Sequence, residues 1–493
     1  MLKRMPRPGR GLLGAGHGVA STRERSFWSN VGRTAIAKVV VMLIAGVFGL
    51  INTRLIIGHF GADAYAQYGL IATFPTLLPF ADMGIGAAIV NVVAGSGHLS
   101  DDSLARRTIT TAIRVLIASS LVIATVGIVL GLLGVWPALL GGKLMDGGGL
   151  TATLCLVIYA AALPLSIGQR VVVGMGRAAT QVISQGVVSP AMSCLLVLVI
   201  IMRVDAGNAV SVLSYGANTL VSIICVVVAW RATTPLLADA IRDVPRLRSA
   251  PGVRIFNTAA PQFVQSLALP IAFQTDRLLL SHLGQGDALA QYNLAATLFN
   301  LLTQTVTVAG IAMWPQFAKA RAQGRIESPF KPAAVFGAGG LVLAVLLAAV
   351  MPLAARLLSD GLITIPIALV IAYVLDVGVE AAKQPLGMYM TDPRGLQFQV
   401  LPVLILVPLN FALSWYLIGP LGPAGPVMGS VVSVFFCQLF PYAWWVARDV
   451  RRRRELDAER RRAGASGAEA QTVPAIDGEQ GLTDARTDVL PTE

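Results

Sequence analysis

Twelve stretches of twenty or more predominantly apolar residues recur along this chain of 493 residues. They lie near 36–57, 66–95, 108–134, 149–169, 180–202, 208–230, 254–281, 288–317, 332–355, 361–390, 396–418 and 422–447. A helix needs about 20 such residues to cross the hydrocarbon core of a bilayer. Inside lipid every backbone N–H and C=O must find its partner within the chain, which leaves the α-helix as the spanning unit for runs of this length. Charged residues make up 13% of the sequence, against about 25% in soluble domains. That is too little charge to cover a water-exposed surface. The expected fold is an all-α polytopic membrane protein with about twelve transmembrane helices.

The loop charges give a topology. The N-terminus, Arg106 and Arg107, Arg170 and Arg177, Arg231 to Arg248, Lys319 to Lys331, Arg394 and the C-terminal arginines fall on one side. Lys143, Arg203 and Arg356 fall on the other. The positive-inside rule places the first set, and both termini, in the cytoplasm. Five segments are expected: a basic cytoplasmic tail over 1–30, an N-lobe of six helices over 31–230, and a cytoplasmic linker over 231–253. A C-lobe of six helices over 254–447 follows, then a tail over 448–493 that is polybasic at first and afterwards acidic and disordered. The net charge of +12 gathers largely at the two ends. Basic runs beside apolar helices bind anionic lipid headgroups at the cytoplasmic face rather than nucleic acid.

Residues 54–73, RLIIGHFGADAYAQYGLIAT, return as 277–297, RLLLSHLGQGDALAQYNLAAT, with one insertion at Gly286. The offset spans six helices, an even number, so both copies face the same way. Two parallel six-helix lobes around a central cavity follow, the plan by which many transporters rock about a substrate site.

RLIIGHFG at the end of the first span, AQYG after the outer loop, ADMGIG in the second, TDRLLLSHLG and LAQYNLA past the midpoint, and MWPQFAKARAQG at the end of the eighth occur in this order. From about residue 30 to 447 the chain resembles the polysaccharide transporters. These are O-antigen-type lipid-linked oligosaccharide flippases of the multidrug/oligosaccharidyl-lipid/polysaccharide exporter superfamily. The resemblance implies a MATE-like fold in the bacterial inner membrane. It also implies a substrate, an undecaprenyl-diphosphate-linked glycan moved from the inner to the outer leaflet, and a polysaccharide polymerase as a partner.

An ionisable side chain at the bilayer centre costs about 2.5–3.5 kcal/mol on insertion scales, so each one calls for a reason. Asp82 lies mid-span among Pro75, Pro79, Gly84 and Gly86, where the helix should kink or unwind. It is either an ion-coupling group or a support for the kink. Asp376, Glu380 and Lys383 are spaced i+4 and i+3 and share one helix face. Lys383 can pair with Glu380, which leaves Asp376 the less compensated acid and the preferred ion-coupling candidate, ahead of Asp82 and Glu380. A structural ion-pair cluster is the alternative. Lys38, Arg54, Arg277 and Lys383 are candidates for a diphosphate, because cations at the cavity mouths can hold phosphate oxygens. Snorkelling accounts equally well for the arginines. Asn293, Thr297, Asn300 and Gln304 step by 4, 3 and 4 along one face, and Asn218 lies on a shorter polar face of the sixth span. Uncharged amides and hydroxyls suit glycan hydroxyls or, alternatively, interhelical hydrogen bonds.

No acid–base or nucleophile–base pair stands in an outer loop of useful length, and no GxxxxGK[ST] loop occurs. No catalytic residue, metal or cofactor is expected. The competing readings are a multidrug/cation antiporter of the same superfamily and, further off, a membrane polysaccharide polymerase.

Overall fold

The computed structural model describes residues 15–470 apart from 73, 79–80, 97–101, 141–143, 205–206, 250, 254–255, 284–287 and 360–363. Every regular element among them is helical. In the N-terminal half these are α1 (Ala15–Ile71), α2 (Phe74–Leu77), α3 (Ile85–Gly95), α4 (Ser103–Leu132), α5 (Trp136–Leu140), α6 (Gly148–Ala162), α7 (Ile167–Gly174), α8 (Ala178–Gln185), α9 (Val188–Ile201) and α10 (Val210–Thr233). A short helix, α11 (Leu236–Asp243), connects to the second half. There follow α12 (Phe256–Leu283), α13 (Ala288–Ile311), α14 (Trp314–Ala322), α15 (Phe330–Ser359), α16 (Ile367–Tyr389), α17 (Pro393–Leu421), α18 (Ala424–Val434), a π-helical turn at Phe435–Leu439, and α19 (Phe440–Ala470).

Nine of these segments are long and apolar enough to cross a membrane among the described residues. The three remaining expected spans are present as helix but depart from that test for separate reasons. The second is broken between Ile71 and Ile85. The seventh, α12, carries internal Pro261 and Pro270 and a row of amides. The tenth, α16, holds Asp376, Glu380 and Lys383. The departures from uniform apolarity thus mark the segments with chemistry in them.

Residues up to Val446 form one compact unit, and Ala447–Glu493 form a second. Within the first, the larger apolar cores stay within one half of the chain. Ile89, Ile109, Val171, Cys225 and Leu237 belong to one, and Leu280, Phe299, Met351, Tyr373 and Val427 to another. The halves meet where α1 packs on α13 and where α3 packs on α12 and α14. Val308 of α13 lies against Ala37, Val41 and Val182.

Several expected boundaries move. Helix begins at Ala15, inside the stretch expected to be a tail. The first span and the start of the second form one helical run that bends at Gly61, whose φ of 87° only glycine adopts without strain. The linker over 231–253 contains α11, whose Leu236, Leu237 and Ala240 are buried and whose Asp243 accepts from Arg106 Nε at 2.7 Å. In the second unit, helix continues to Ala470, past the residue at which disorder was expected to set in. Asp449 there pairs with Arg453 one turn on, at 2.6 Å.

Candidate functional site

The break in the second span is built to satisfy its own backbone. Where α1 stops, the hydroxyl of Tyr215 donates to the carbonyl of Ile71 at 2.8 Å. Ser119 Oγ donates to the carbonyl of Ala81 at 2.7 Å. Asp82 Oδ1 accepts from the N–H of Gly84 at 3.0 Å, and its Oδ2 meets Arg170 Nη2 at 2.8 Å. Gly84 has φ of 69°, and a Cβ there would collide with the backbone carbonyl of Ala259 on α12. Gly86 leaves room for the Arg170 side chain, whose Nε would stand 2.9 Å from an added Cβ. Arg170 is therefore not a loop charge, as its sequence position implied. It lies in α7 and neutralises Asp82. Asp82 thus accepts from a backbone N–H at the kink and forms an ion pair across to α7.

The second constellation is on α16. Lys383 Nζ lies 2.7 Å from Glu380 Oε1 and donates to Gln438 Oε1 in the π-helical turn at 2.9 Å. Asp376, one turn before Glu380, makes no ion pair with any described residue and is half-buried. Lys383, counted among the diphosphate candidates, has its donors engaged inside the C-terminal half.

A third site was not foreseen. Asp276 on α12 is 2% exposed. It accepts from Ser414 Oγ at 3.0 Å, from Ser430 Oγ at 3.2 Å and from Asn410 Nδ2 at 3.4 Å. Ser430 also donates to Asn410 Oδ1 at 3.0 Å. These donors come from α17 and α18, about 140 residues further along the sequence. The signal in the sequence is the polarity of the 254–281 stretch, with Asn257, Gln262, Gln265, Gln274 and Asp276 in one span.

On α13, Asn293, Thr297, Asn300 and Gln304 are all exposed, while Tyr292, Ala296 and Phe299 on the adjoining face are buried. The stripe is thus an open face; among the described residues it makes no hydrogen bonds to neighbouring helices, and Thr297 bonds back to the carbonyl of Asn293. Asn218 is likewise exposed, with its amide donating to Ser214 within α10, whereas Tyr215 and Ser222 beside it are buried. Lys38 is half-buried and Arg54 exposed, and neither forms an ion pair with a described residue. The side chain of Arg277 lies outside the described residues. Further along α13, Thr305 contacts Met42 of α1 at 3.7 Å.

Polar contacts also tie the two halves together where α3 meets α14. Asn91 Nδ2 donates to the carbonyl of Thr391 at 2.5 Å, and Trp314 Nε1 donates to Asn91 Oδ1 at 2.8 Å. One amide therefore bridges two elements of the other half.

The sequence matches the polysaccharide biosynthesis protein family over residues 27–321, more than half of the chain. The chain belongs to that family. No curated protein matches it significantly in sequence. Among solved structures it is similar to a MATE in the bent conformation, with a TM-score of 0.67 at 14% identity, over 88% of this chain and 97% of that one. A Vibrio cholerae MATE transporter gives 0.64 at 15% identity, over 87% and 98%. An outward-facing multidrug resistance MATE family transporter of the MOP superfamily gives 0.62 at 15%, over 86% and 96%. At such identities the likeness concerns the fold, which is MATE-like and all-helical. Family and fold together make this chain a multi-pass, MATE-like membrane protein of the polysaccharide biosynthesis family.

Proposed function

We propose that this member of the polysaccharide biosynthesis family carries a lipid-linked glycan, an oligosaccharide or polysaccharide repeat unit on undecaprenyl diphosphate, from the cytoplasmic to the outer leaflet of the bacterial inner membrane. The observation that carries this reading is the open face of α13. Asn293, Thr297, Asn300 and Gln304 offer only neutral donors and acceptors, on the helix that meets α1 of the other half at Thr305 and Met42. Glycan hydroxyls exchange hydrogen bonds with amides and hydroxyls without a charge to desolvate. Lys38 and Arg54 on α1, neither paired with a described acid, would meet the diphosphate. Alternating access needs two arrangements of the halves, and the Asn91 bridge favours the one in which α3 and α14 are in contact. Asp376 is the carboxylate whose protonation or ion binding would shift that balance. Both termini are then cytoplasmic, the C-terminal arginines lie against anionic lipid, and a polymerase takes up the product at the outer face.

Deleting the gene should cause lipid-linked glycan to accumulate in the inner leaflet and remove one surface polysaccharide. Unchanged surface glycans together with sensitivity to cationic dyes would replace this reading with multidrug/cation antiport.

A further inference from the structure

Between α15 and α16, on the C-terminal half, lies a cavity of about 950 Å³. Ala348 and Met351 of α15 and Ile371 and Val374 of α16 form part of its walls, and the polar residues lining it are Arg356 and Thr364. A cavity of this size, mostly apolar with a few polar groups, has the make-up of a ligand site rather than a packing defect. Its apolar rim is open to the surroundings: Ile367 is 77% exposed and Ile371 53%. In a membrane protein such surface faces lipid chains. The small side chains of Ala348 and Ala355 on α15 leave the space that larger ones would fill.

Arg356 sets the chemistry. It is exposed and pairs with no acid among the described residues. A guanidinium does not lose its proton, and with five donors it calls for an oxyanion. By the loop-charge pattern it stands on the side of the membrane where basic residues are few, with Lys143 and Arg203. A cation without an acidic partner among the described residues, at the mouth of an apolar slot, matches a molecule with an anionic head and a hydrocarbon tail. It does not match a glycan, which would leave its hydroxyls unpaired against Ile371 and Val374.

We infer that the α15–α16 groove binds a phosphate-headed membrane lipid, its chain between Ala348 and Val374 and its phosphate on Arg356. The site is separate from the α13 stripe and does not depend on the glycan reading.

Native mass spectrometry of the full-length protein, titrated with phosphatidylglycerol, tests this. One lipid should be retained per protein. Arg356→Ala should reduce retention about tenfold, the scale of a lost charge-assisted hydrogen bond. Ala348→Phe, which fills the slot, should reduce it to a similar degree, and Arg356→Lys should keep the larger part. Arg203→Ala, a basic residue expected on the same side, should leave retention unchanged. Diacylglycerol with the same chains should be retained poorly, and inorganic phosphate should fail to displace the lipid. The proposal is overturned if the wild type retains no lipid, or if Arg356→Ala retains as much as wild type. Equal retention of diacylglycerol, displacement by inorganic phosphate, or an equal loss in Arg203→Ala would also overturn it. Should Ala348→Phe fail to fold, the Arg356 and Arg203 variants on the exposed surface still decide the matter.

Discussion

The second span and the tenth both carry an aspartate into the apolar bundle, and they handle it in opposite ways. Around Asp82 the helix gives up its regular ladder between Ile71 and Ile85. The carboxylate then has two partners, the N–H of Gly84 and the Arg170 guanidinium. Around Asp376 the helix is unbroken from Ile367 to Tyr389, and the nearby cation is taken by Glu380 and Gln438. A carboxylate held by a cation and a backbone donor has its partners already committed and is held in place. One without a cation can exchange a proton or an ion at small cost to its neighbours. Asp276 is intermediate: no cation among the described residues pairs with it, but three neutral donors hold it. The lesson is that depth in the membrane does not mark an acid as functional; what matters is whether its partners are already committed.

The sharpest way to break this comparison is to neutralise both acids. Asp376→Asn should insert and fold but lose about tenfold or more of its gradient-driven transport in proteoliposomes, within the range of ordinary coupling energies. Asp82→Asn should lower the yield and melting temperature while the surviving protein keeps its gradient response. If the two phenotypes were exchanged, the assignment of roles would be reversed.

A smaller effect concerns Asp276. Asp276→Leu removes the acceptor shared by Asn410, Ser414 and Ser430, although Ser430 keeps Asn410 Oδ1 and Ser414 the carbonyl of Pro426; the cost is about 0.6 kcal/mol per membrane hydrogen bond and up to ~3 kcal/mol for a buried group left unpaired. The expected outcome is a loss of about 2 kcal/mol in unfolding stability, with Asp276→Asn losing much less because it keeps an acceptor. Equal stabilities would move Asp276 into the same class as Asp376.

The smallest effect belongs to a carboxylate outside the bilayer that does the same backbone work as Asp82. Asp102 caps α4 by accepting from the N–H groups of Leu104 and Ala105, and Ser96 Oγ donates to its other oxygen. Partial burial works against its charge, but these three hydrogen bonds outweigh it and hold its pKa below the usual carboxylate value. A depressed folded-state pKa adds stability above the ordinary carboxylate range, and that stability fades as pH falls through the folded value. Asp102→Ala should cost about 1 kcal/mol at neutral pH. Melting curves of variant and wild type should converge in acid. A difference that persisted there would mean the side chain acts by packing and not by its charge.

Features legible in the sequence were those set by near neighbours. Pro75, Pro79, Gly84 and Gly86 foretold the unwound segment, because proline and glycine act on their own backbone. The Glu380–Lys383 pair followed from three-residue spacing on a helix. The continuous polar face of α13 followed from helical periodicity, and hydropathy alone marked out the membrane segments. Arg170 looked like one more loop arginine until α7 brought it across 88 residues to Asp82. Nothing near Asp276 in the sequence marks Asn410, Ser414 and Ser430 as its partners; α17 and α18 bring them. The repeated motif gave two parallel halves, but not that Asn91 would bridge them through Trp314 and Thr391. The sequence by itself determined the solvent of this protein, its helical class and the residues that would need partners. Tertiary structure alone decided which partners they received, because in lipid a polar side chain takes whichever donor or cation another helix brings within reach, and hydropathy carries no record of that choice.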